Sequence, residues 1–377
     1  MFGKRFELFK LFGFAIRIDL SWFVVLALIT WSLANGWFPE SLPGRETSTY
    51  WWMGLVGALG LFISVVLHEL AHALMARRHG LVIDGITLFI FGGVAEMTEE
   101  PSSPGVELQV AIVGPIASLL IGAICFLAVG TGVLPVVAGS ILEYLAVINL
   151  VLAAFNLLPA FPLDGGRVLR SALWGWKGSL RRATRVTSAI GAGFGSVLIA
   201  LGIVSLLLGQ QLIGGLWWVL IGMFLRQAAR ASYQHQLLRH ALEGEPVSRF
   251  MTTHVVTVPR AASVRELVEE YFLRYHHKMF PVVDGSRVVG CVTTRDIKPL
   301  PKDDWDRQTV GVVMQPCGRD NSIEPEADAM DVLARMRRTG ASRLMVVADH
   351  QLLGVISLKD FLEFFALKVE LEEKGSW

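Results

Sequence analysis

The chain has little charge and very little cysteine. Only 18% of its 377 residues are charged, against 53% hydrophobic residues, which is far from the composition of a soluble globular protein. Cys125, Cys291 and Cys317 are scattered and odd in number, which excludes a disulfide framework and a CxxC metal site. A net charge of +1 gives no reason to expect a nucleic-acid partner. The composition predicts a membrane protein whose soluble part lies in a reducing compartment.

Long uncharged runs fill roughly the first 230 residues. A spanning helix needs about 20 predominantly apolar residues. The runs cover residues 20–39, 51–75, 108–142 with a break at "GTGVLP" and an extension towards 159, and 186–225 with a polar break at "LGQQ". The third run holds one span and the start of another, and the last has the length of a helical hairpin. Residues 1–230 are therefore predicted to form an α-helical polytopic membrane domain with six spans.

Basic residues fall on one side of these predicted spans. Lys and Arg precede the first span and follow the second, fourth and sixth, whereas the opposite loops contain almost none. Basic flanks stay in the cytoplasm. The basic N-terminus also lacks a small-residue cleavage site, so it is interpreted as a cytoplasmic flank rather than a removed signal peptide. We expect a plasma-membrane protein with both termini in the cytoplasm.

The stretch "VLHELAH" at 66–72 places ionisable groups inside the second predicted span. His68 and His72 are four residues apart, so a helix presents both rings on one face. This spacing suits two corners of a tetrahedral zinc site, and Glu69, rotated by about 100°, can act on water as a general base. Alternatively, the span ends earlier and the histidines lie among the headgroups. Because ionisable residues at membrane depth are costly and usually functional, we favour a metal site.

A catalytic zinc needs a third protein ligand and an open position. Asp164 follows 20 uncharged residues, and Pro159 and Pro162 break the helix before it, so its carboxylate can turn inward. Asp164 is also placed to act as the N-cap of the next helix, and the two roles are compatible. In the predicted topology Asp164 lies at the same depth as His68 and His72.

The segment "LVIDGITLFIFGGVAEMTEEP" at 81–101 lies between the second and third spans. It is too short to be another span and is rich in β-forming residues with glycine breaks. It predicts a small hairpin or re-entrant sheet near the cytoplasmic face. Non-helical backbone at membrane depth requires surrounding protein or water, so a cavity is expected nearby.

The last third of the chain contains an internal repeat. The stretch "MFPVVDGSRVVGCVTTRDI" at 279–297 aligns with "RLMVVADHQLLGVISLKDF" at 343–361. Each copy has the predicted order strand, helix, strand, strand, helix. We expect a soluble α/β region with copies at 245–300 and 308–366, a linker at 231–244 before them and a charged tail at 367–377.

Four motifs of the apolar region, "HELAH", "FGGVA", "GPIASLLIG" and "NLLPAFPLDGGRVLRS", together resemble the site-2 protease family of intramembrane metalloproteases. The resemblance covers roughly residues 50–230 and is to the six-span subgroup without a PDZ domain. It implies one zinc ion per chain, held by His68, His72 and Asp164, with Glu69 as catalytic base and with Asn156, Gly92 and Gly93 supporting the active site. It also implies cleavage of a transmembrane segment of another protein in the bilayer, such as a membrane-tethered regulator.

The repeated region resembles a tandem pair of CBS domains, which implies clefts that often bind adenine nucleotides. The matching positions are Thr293 and Asp296 in one cleft and Ser357 and Asp360 in the other, with the hydroxyl towards phosphate and the carboxylate towards ribose. The same spacing is an N-cap arrangement, which is the structural alternative. CBS pairs commonly associate, so a homodimer is expected.

Two other functions fit parts of the sequence. A CBS-regulated transporter or channel should show inverted repeats or paired broken helices, but only one break, at 156–166, is evident. A catalytically silent membrane adaptor should have lost a ligand or the base, but His68, Glu69, His72 and Asp164 are all present. The sequence favours an intramembrane endopeptidase modulated by a ligand of the CBS pair.

Overall fold

The computed structural model describes residues 5–90, 92–97, 100–209 and 212–373. It divides into two compact units, Met1–Gln236 and Leu237–Trp377. The first unit contains β1 Arg5–Leu11, β2 Phe14–Asp19, α1 Ser21–Ser32, a π-helical turn Leu33–Trp37, α2 Phe38–Ser41, α3 Thr47–Arg78, β3 Ile83–Phe89, β4 Gly92–Met97, α4 Pro104–Gly130, α5 Val136–Asn156, α6 Asp164–Lys177 and α7 Leu180–Leu207. Helix α8, Leu212–Leu242, begins in the first unit and ends in the second.

Five helical segments among the described residues are long and apolar enough to cross a membrane. They are Ser21–Ser41, which joins α1, the π turn and α2, followed by Thr47–Arg78, Pro104–Gly130, Val136–Asn156 and Leu180–Leu207. These segments coincide with the first five predicted spans. Helix α8 begins where the sixth span is predicted, but it is not among the five. The six-span count therefore exceeds what the described part of the chain supplies.

A four-stranded sheet packs beside the apolar helices. The predicted hairpin is confirmed, because β3 and β4 pair antiparallel from Ile83 and Met97 to Phe89 and Gly92. Residues 5–19, interpreted above only as a flank, instead form β1 and β2, and the strand order is β1-β2-β3-β4 with β2 and β3 parallel. Ile16 of β2 packs with Leu70 of α3 in one buried cluster. The sheet thus lies against the helix that carries the histidine motif, with β4 as an outer strand.

The loop between α5 and α6 is tightly packed around its two prolines. A Cβ at Gly165 would lie 2.1 Å from the Leu157 carbonyl oxygen, and one at Gly191 of α7 would lie 1.9 Å from the Phe161 oxygen. Only glycine fits at these two positions. The close contacts that it permits hold the loop against the start of α6 and against α7. The N-cap is Leu163, and Asp164 is the first residue of α6, so the N-cap alternative for Asp164 is wrong.

The second unit has two halves with matching elements. They are β5 Val258–Pro259, α9 Val264–Glu266, a π turn Leu267–Phe272, α10 Leu273–Tyr275, β6 Met279–Asp284, β7 Arg287–Thr293, α11 Thr294–Ile297, α12 Val310–Val313 and β8 Gln315–Pro316, then β9 Ser322–Ile323, α13 Ala329–Thr339, β10 Arg343–Ala348, β11 Gln351–Ser357 and α14 Leu358–Glu373.

The internal repeat is confirmed in the strand register. Val282 pairs with Gly290 and Val346 pairs with Gly354, and each hairpin has a register shift at the next residue. Met279 and Met345, one from each half, pack in one shared cluster. Helix α8 runs through most of the predicted linker, to Leu242, and α14 continues into the predicted tail, to Glu373.

Candidate metal centre

Three buried side chains converge at one point of the first unit. The Nε2 atoms of His68 and His72 lie 3.2 Å apart, and they lie 3.0 and 3.1 Å from the Asp164 Oδ2 atom. The four-residue spacing on α3 aligns the two rings, and the broken segment after α5 delivers Asp164 from the start of α6. The three residues whose meeting the sequence predicts are thus brought together, and they form a group that could hold a metal ion.

Helix α4 orients both imidazole rings. The His72 Nδ1 atom lies 2.6 Å from the Val110 carbonyl oxygen, and the His68 Nδ1 atom lies 2.9 Å from the Ser118 hydroxyl. A carbonyl only accepts hydrogen bonds, so His72 Nδ1 carries a proton, and in the neutral ring the Nε2 lone pair then points at the centre. A Cβ at Gly114 would lie 2.1 Å from His72 Nε2, so α4 approaches this closely only because position 114 is glycine.

The donor set fits zinc. Ligand bonds of about 2.0–2.1 Å in a tetrahedral site separate the donor atoms by about 3.3 Å, close to the spacings of His68, His72 and Asp164. The Asp164 oxygen and the two Nε2 atoms lie 3.0–3.2 Å apart, and acceptor lone pairs that face one another at this distance call for a cation between them.

Glu69 lies next to the centre and next to the outer strand β4. It is half-buried on α3, and a Cβ at Gly93 would lie 2.7 Å from the Glu69 Cγ atom. Position 93 is therefore close to the candidate base, and the support of the active site by Gly93 that the resemblance implies stays a prediction. Gly92 has a φ of +128°, a backbone conformation that side chains rarely adopt, and its Cβ position is open.

Asn156 is the last residue of α5. Its Nδ2 atom donates to the Leu152 carbonyl oxygen at 3.0 Å, within its own helix. Its support of the active site stays a prediction. The residues that the sequence reasoning missed are Val110, Ser118 and Gly114, all on α4. The usable signal is the spacing of small and polar residues along one face of an otherwise apolar helix.

The candidate nucleotide residues form helix caps. Asp296 Oδ2 accepts from the Thr293 backbone N and hydroxyl, both at 2.7 Å, and Asp296 Oδ1 accepts from Gln315 Nε2 at 2.7 Å. Asp360 Oδ2 accepts in the same way from the Ser357 backbone N at 2.7 Å and hydroxyl at 2.8 Å. The capping interpretation is therefore confirmed, and nucleotide binding by these residues stays a prediction.

Comparison with known proteins places this chain in a family. The model of peptidase family M50 matches residues 56–139 and 134–201, and the CBS domain model matches 247–300 and 316–367. A protein of Synechocystis sp. named as a zinc metalloprotease is 35% identical over 344 residues, covering 90% of this chain and 89% of that protein. The chain belongs to peptidase family M50. A second protein named as a zinc metalloprotease, from Mycobacterium tuberculosis, is 33% identical over 357 residues, covering 93% of this M50 chain and 90% of the relative.

A solved structure of the site-2 protease from Methanocaldococcus jannaschii matches this M50 protein over 61% of its chain and 95% of the solved one, with 28% identity and a TM-score of 0.45. The resemblance to site-2 proteases and to a tandem CBS pair is confirmed by the family matches. The chain is a multi-pass membrane zinc metalloprotease of the site-2 protease type, with tandem CBS domains at its C-terminal end.

Proposed function

We propose that this M50 protein is an intramembrane endopeptidase, which hydrolyses peptide bonds within or near transmembrane segments of a membrane-bound regulatory protein. The observation that carries the proposal is the meeting of His68 and His72, on the apolar helix α3, with Asp164 at the start of α6, and with Glu69 beside them. Buried ionisable groups at membrane depth are costly, and a metal site satisfies all three. A transporter or silent adaptor has no comparable use for the adjacent base.

The proposed roles divide between the ligands and the base. His68, His72 and Asp164 would hold zinc, which when bound polarises a carbonyl and lowers the pKa of water. Glu69 accepts a proton from the attacking water as the new carbon–oxygen bond forms. It then delivers that proton to the amide nitrogen as the carbon–nitrogen bond breaks, which leaves a carboxylate and an amine. Val110 and Ser118 keep the histidine rings in their orientation.

Metal removal tests the proposal directly. We expect the purified chain to lose cleavage of a reporter transmembrane protein after treatment with a zinc chelator, and to regain it on addition of one equivalent of Zn²⁺. Loss without recovery would indicate damage, so the circular dichroism spectrum of the metal-free chain is recorded in parallel. Full cleavage by chain shown to contain no metal would contradict the proposed chemistry.

Strand β4 is the proposed substrate-binding edge. A substrate helix hides its carbonyl groups in its own hydrogen bonds, so it must unwind before cleavage. The outer position of β4 in the sheet, and the closeness of Gly93 to Glu69, support a mode in which the unwound segment adds as an extra strand. Such pairing would bring one peptide bond of the substrate towards the base.

Substitution on the outer strand tests this mode. Val94 of β4 is 40% exposed, and a carboxylate there should weaken strand addition by an apolar segment. We expect Val94→Asp to reduce cleavage by about tenfold, equivalent to one or two hydrogen bonds of about 1 kcal/mol each, with unchanged zinc content. Val82→Asp is the matched control, because Val82 is 53% exposed and precedes β3. Equal cleavage by both variants would contradict the strand-addition mode.

Ligand binding to the CBS pair is proposed to modulate the protease. The two aspartates differ in how many carboxylate oxygens bind protein groups. Asp296 accepts hydrogen bonds from protein groups through both of its oxygens. Asp360 accepts from Ser357 through Oδ2, in the part of the chain that the structure describes. The cleft at Ser357 and Asp360 is therefore the better candidate for an adenine nucleotide. A homodimer, a plasma-membrane location and cytoplasmic termini remain parts of the proposal, the last supported by the basic flanks.

Nucleotide titration of the full chain tests this assignment. We expect ATP or AMP to raise the thermal unfolding temperature, and Asp360→Asn to weaken the nucleotide affinity about tenfold through loss of a charge-assisted hydrogen bond. Asp349→Asn is the control, since Asp349 is an exposed residue between β10 and β11. No nucleotide-dependent shift in the wild type, or the same affinity in both variants, would contradict the assignment.

A further inference from the structure

A buried ion pair links α4 to α6, some distance along both helices from the metal-ligand candidates. Arg170 Nε donates to Glu107 Oε1 at 2.6 Å, and Arg170 Nη2 makes a second, shorter contact with the same oxygen. Glu107 is 0% exposed and Arg170 is 6% exposed. Two charges held this far from water are expensive, and well-packed apolar residues would often serve stability equally well. The pair therefore calls for a role beyond stability.

Glu107 shares one face of α4 with the groups that orient the histidines. Three residues follow Glu107 at intervals of three, seven and eleven positions, which is the spacing of one helical face. They are Val110, Gly114 and Ser118. Val110 and Ser118 contact the two Nδ1 atoms, and Gly114 packs against the rings. This face of α4 thus contacts Arg170 of α6 through Glu107 and, further along the helix, both candidate ligands on α3.

Arg170 connects the same face to the third candidate ligand. It lies six residues after Asp164 on α6, about 9 Å along the axis at 1.5 Å per residue. Its guanidinium also lies over the Phe161 ring, 5.3 Å from the ring centroid, in the loop that leads to Asp164. Arg170 therefore connects α6 to Glu107 of α4, and it also contacts the loop that precedes Asp164.

We propose that Glu107 and Arg170 are a positioning pair, which sets the distance of the Asp164 carboxylate from the two imidazoles. The inference rests on the proposed metal-binding role of His68, His72 and Asp164. Helix α4 is the common reference: it fixes the rings through Val110 and Ser118, and it fixes α6 through the ion pair. Movement of α6 relative to α4 would carry Asp164 away from the histidine nitrogens, with no change in the ligands themselves.

Zinc affinity of the full chain tests the pair. We expect Glu107→Gln and Arg170→Lys each to weaken zinc binding about 10- to 100-fold, the usual effect of losing a group that supports a ligand. Lysine keeps the charge of Arg170 but not its planar fork of donors. Zinc affinity is measured by competition with a chelator, and kcat and KM are measured at saturating zinc. Ser171→Ala is the control, because Ser171 donates to the Pro104 carbonyl at 2.6 Å across the same interface without charge.

The unfolding temperature of the metal-free chain separates positioning from stability. A structural role alone would lower that temperature and leave the zinc affinity of the folded fraction unchanged, which would overturn the inference. If a single variant does not fold, the double variant Glu107→Gln and Arg170→Gln removes both charges together. Its zinc affinity should still fall at least about tenfold, and wild-type affinity would overturn the inference. Failure of the proposed function is distinct, because His68→Ala would then also leave zinc binding unchanged.

Discussion

Gly114→Ala should greatly weaken zinc binding by adding a single methyl group. A Cβ at this position would lie 2.1 Å from His72 Nε2 and 2.7 Å from His68 Nε2, closer than any ordinary contact. The methyl group therefore occupies the space in front of the two nitrogens that must bind the metal. Either the imidazole rings rotate away or α4 moves outward, and each change separates the donors. We expect zinc affinity to fall about 100-fold or more and cleavage to fall with it.

The same helix provides a matched control for this substitution. Gly105 lies in the first turn of α4, and a Cβ there would meet no atom within 4 Å. Gly105→Ala should therefore keep wild-type zinc affinity and cleavage, with a small gain in stability from the higher helix propensity of alanine. The far-ultraviolet circular dichroism of both variants should match the wild type. Wild-type zinc affinity in Gly114→Ala would show that the metal does not lie between these rings.

Glu69→Gln should separate zinc binding from cleavage. Glu69 is not one of the three residues that could hold the metal, which are His68, His72 and Asp164. The variant should therefore retain one zinc ion per chain with unchanged affinity. Glutamine cannot accept the proton of the attacking water or return it to the leaving amine. Loss of a general base of this kind lowers the rate by about 10²- to 10⁴-fold. We expect kcat to fall within this range while KM changes little, because the amide keeps the size of the carboxylate.

The control for Glu69→Gln is a second glutamate in the membrane domain. Glu143 is exposed on α5. Glu143→Gln should cleave the reporter at the wild-type rate, which shows that a lost carboxylate elsewhere in the domain has no effect. Undiminished cleavage by Glu69→Gln would exclude it as the base. Loss of zinc together with cleavage would instead indicate that Glu69 helps to hold the metal.

The metal centre was largely predictable because short sequence patterns indicate where each candidate ligand lies. The spacing of His68 and His72 fixes their relative position on any helix, and the prolines before Asp164 mark the broken segment that brings it inward. The strands of the CBS repeat were predictable for a similar reason, since each copy supports the interpretation of the other. Short-range spacing and internal repetition carry structural information without knowledge of the tertiary fold.

The missing parts depend on contacts between distant segments. Strand β1 escaped prediction because its alternation of polar and apolar residues is short and is interrupted at the register shift between Glu7 and Phe9. Glu107 and Arg170 are 63 residues apart, and Arg170 lies in a basic stretch that a topology argument counts only as a flank. The contact of Gly114 with the histidines depends on how closely α4 packs against α3. A local pattern can mark the face of α4 that makes such a contact, but the contact itself depends on tertiary packing.

The position of the cut in a substrate tests the central claim most directly. Purified full-length chain with one equivalent of Zn²⁺ is mixed with a purified reporter that contains one transmembrane segment, and the new termini are determined by mass spectrometry. The account predicts new termini within the apolar segment or within a few residues of its end, formed by the wild type and not by Glu69→Gln. Termini found only in the soluble regions of the reporter, or the same termini formed by both proteins, would contradict it.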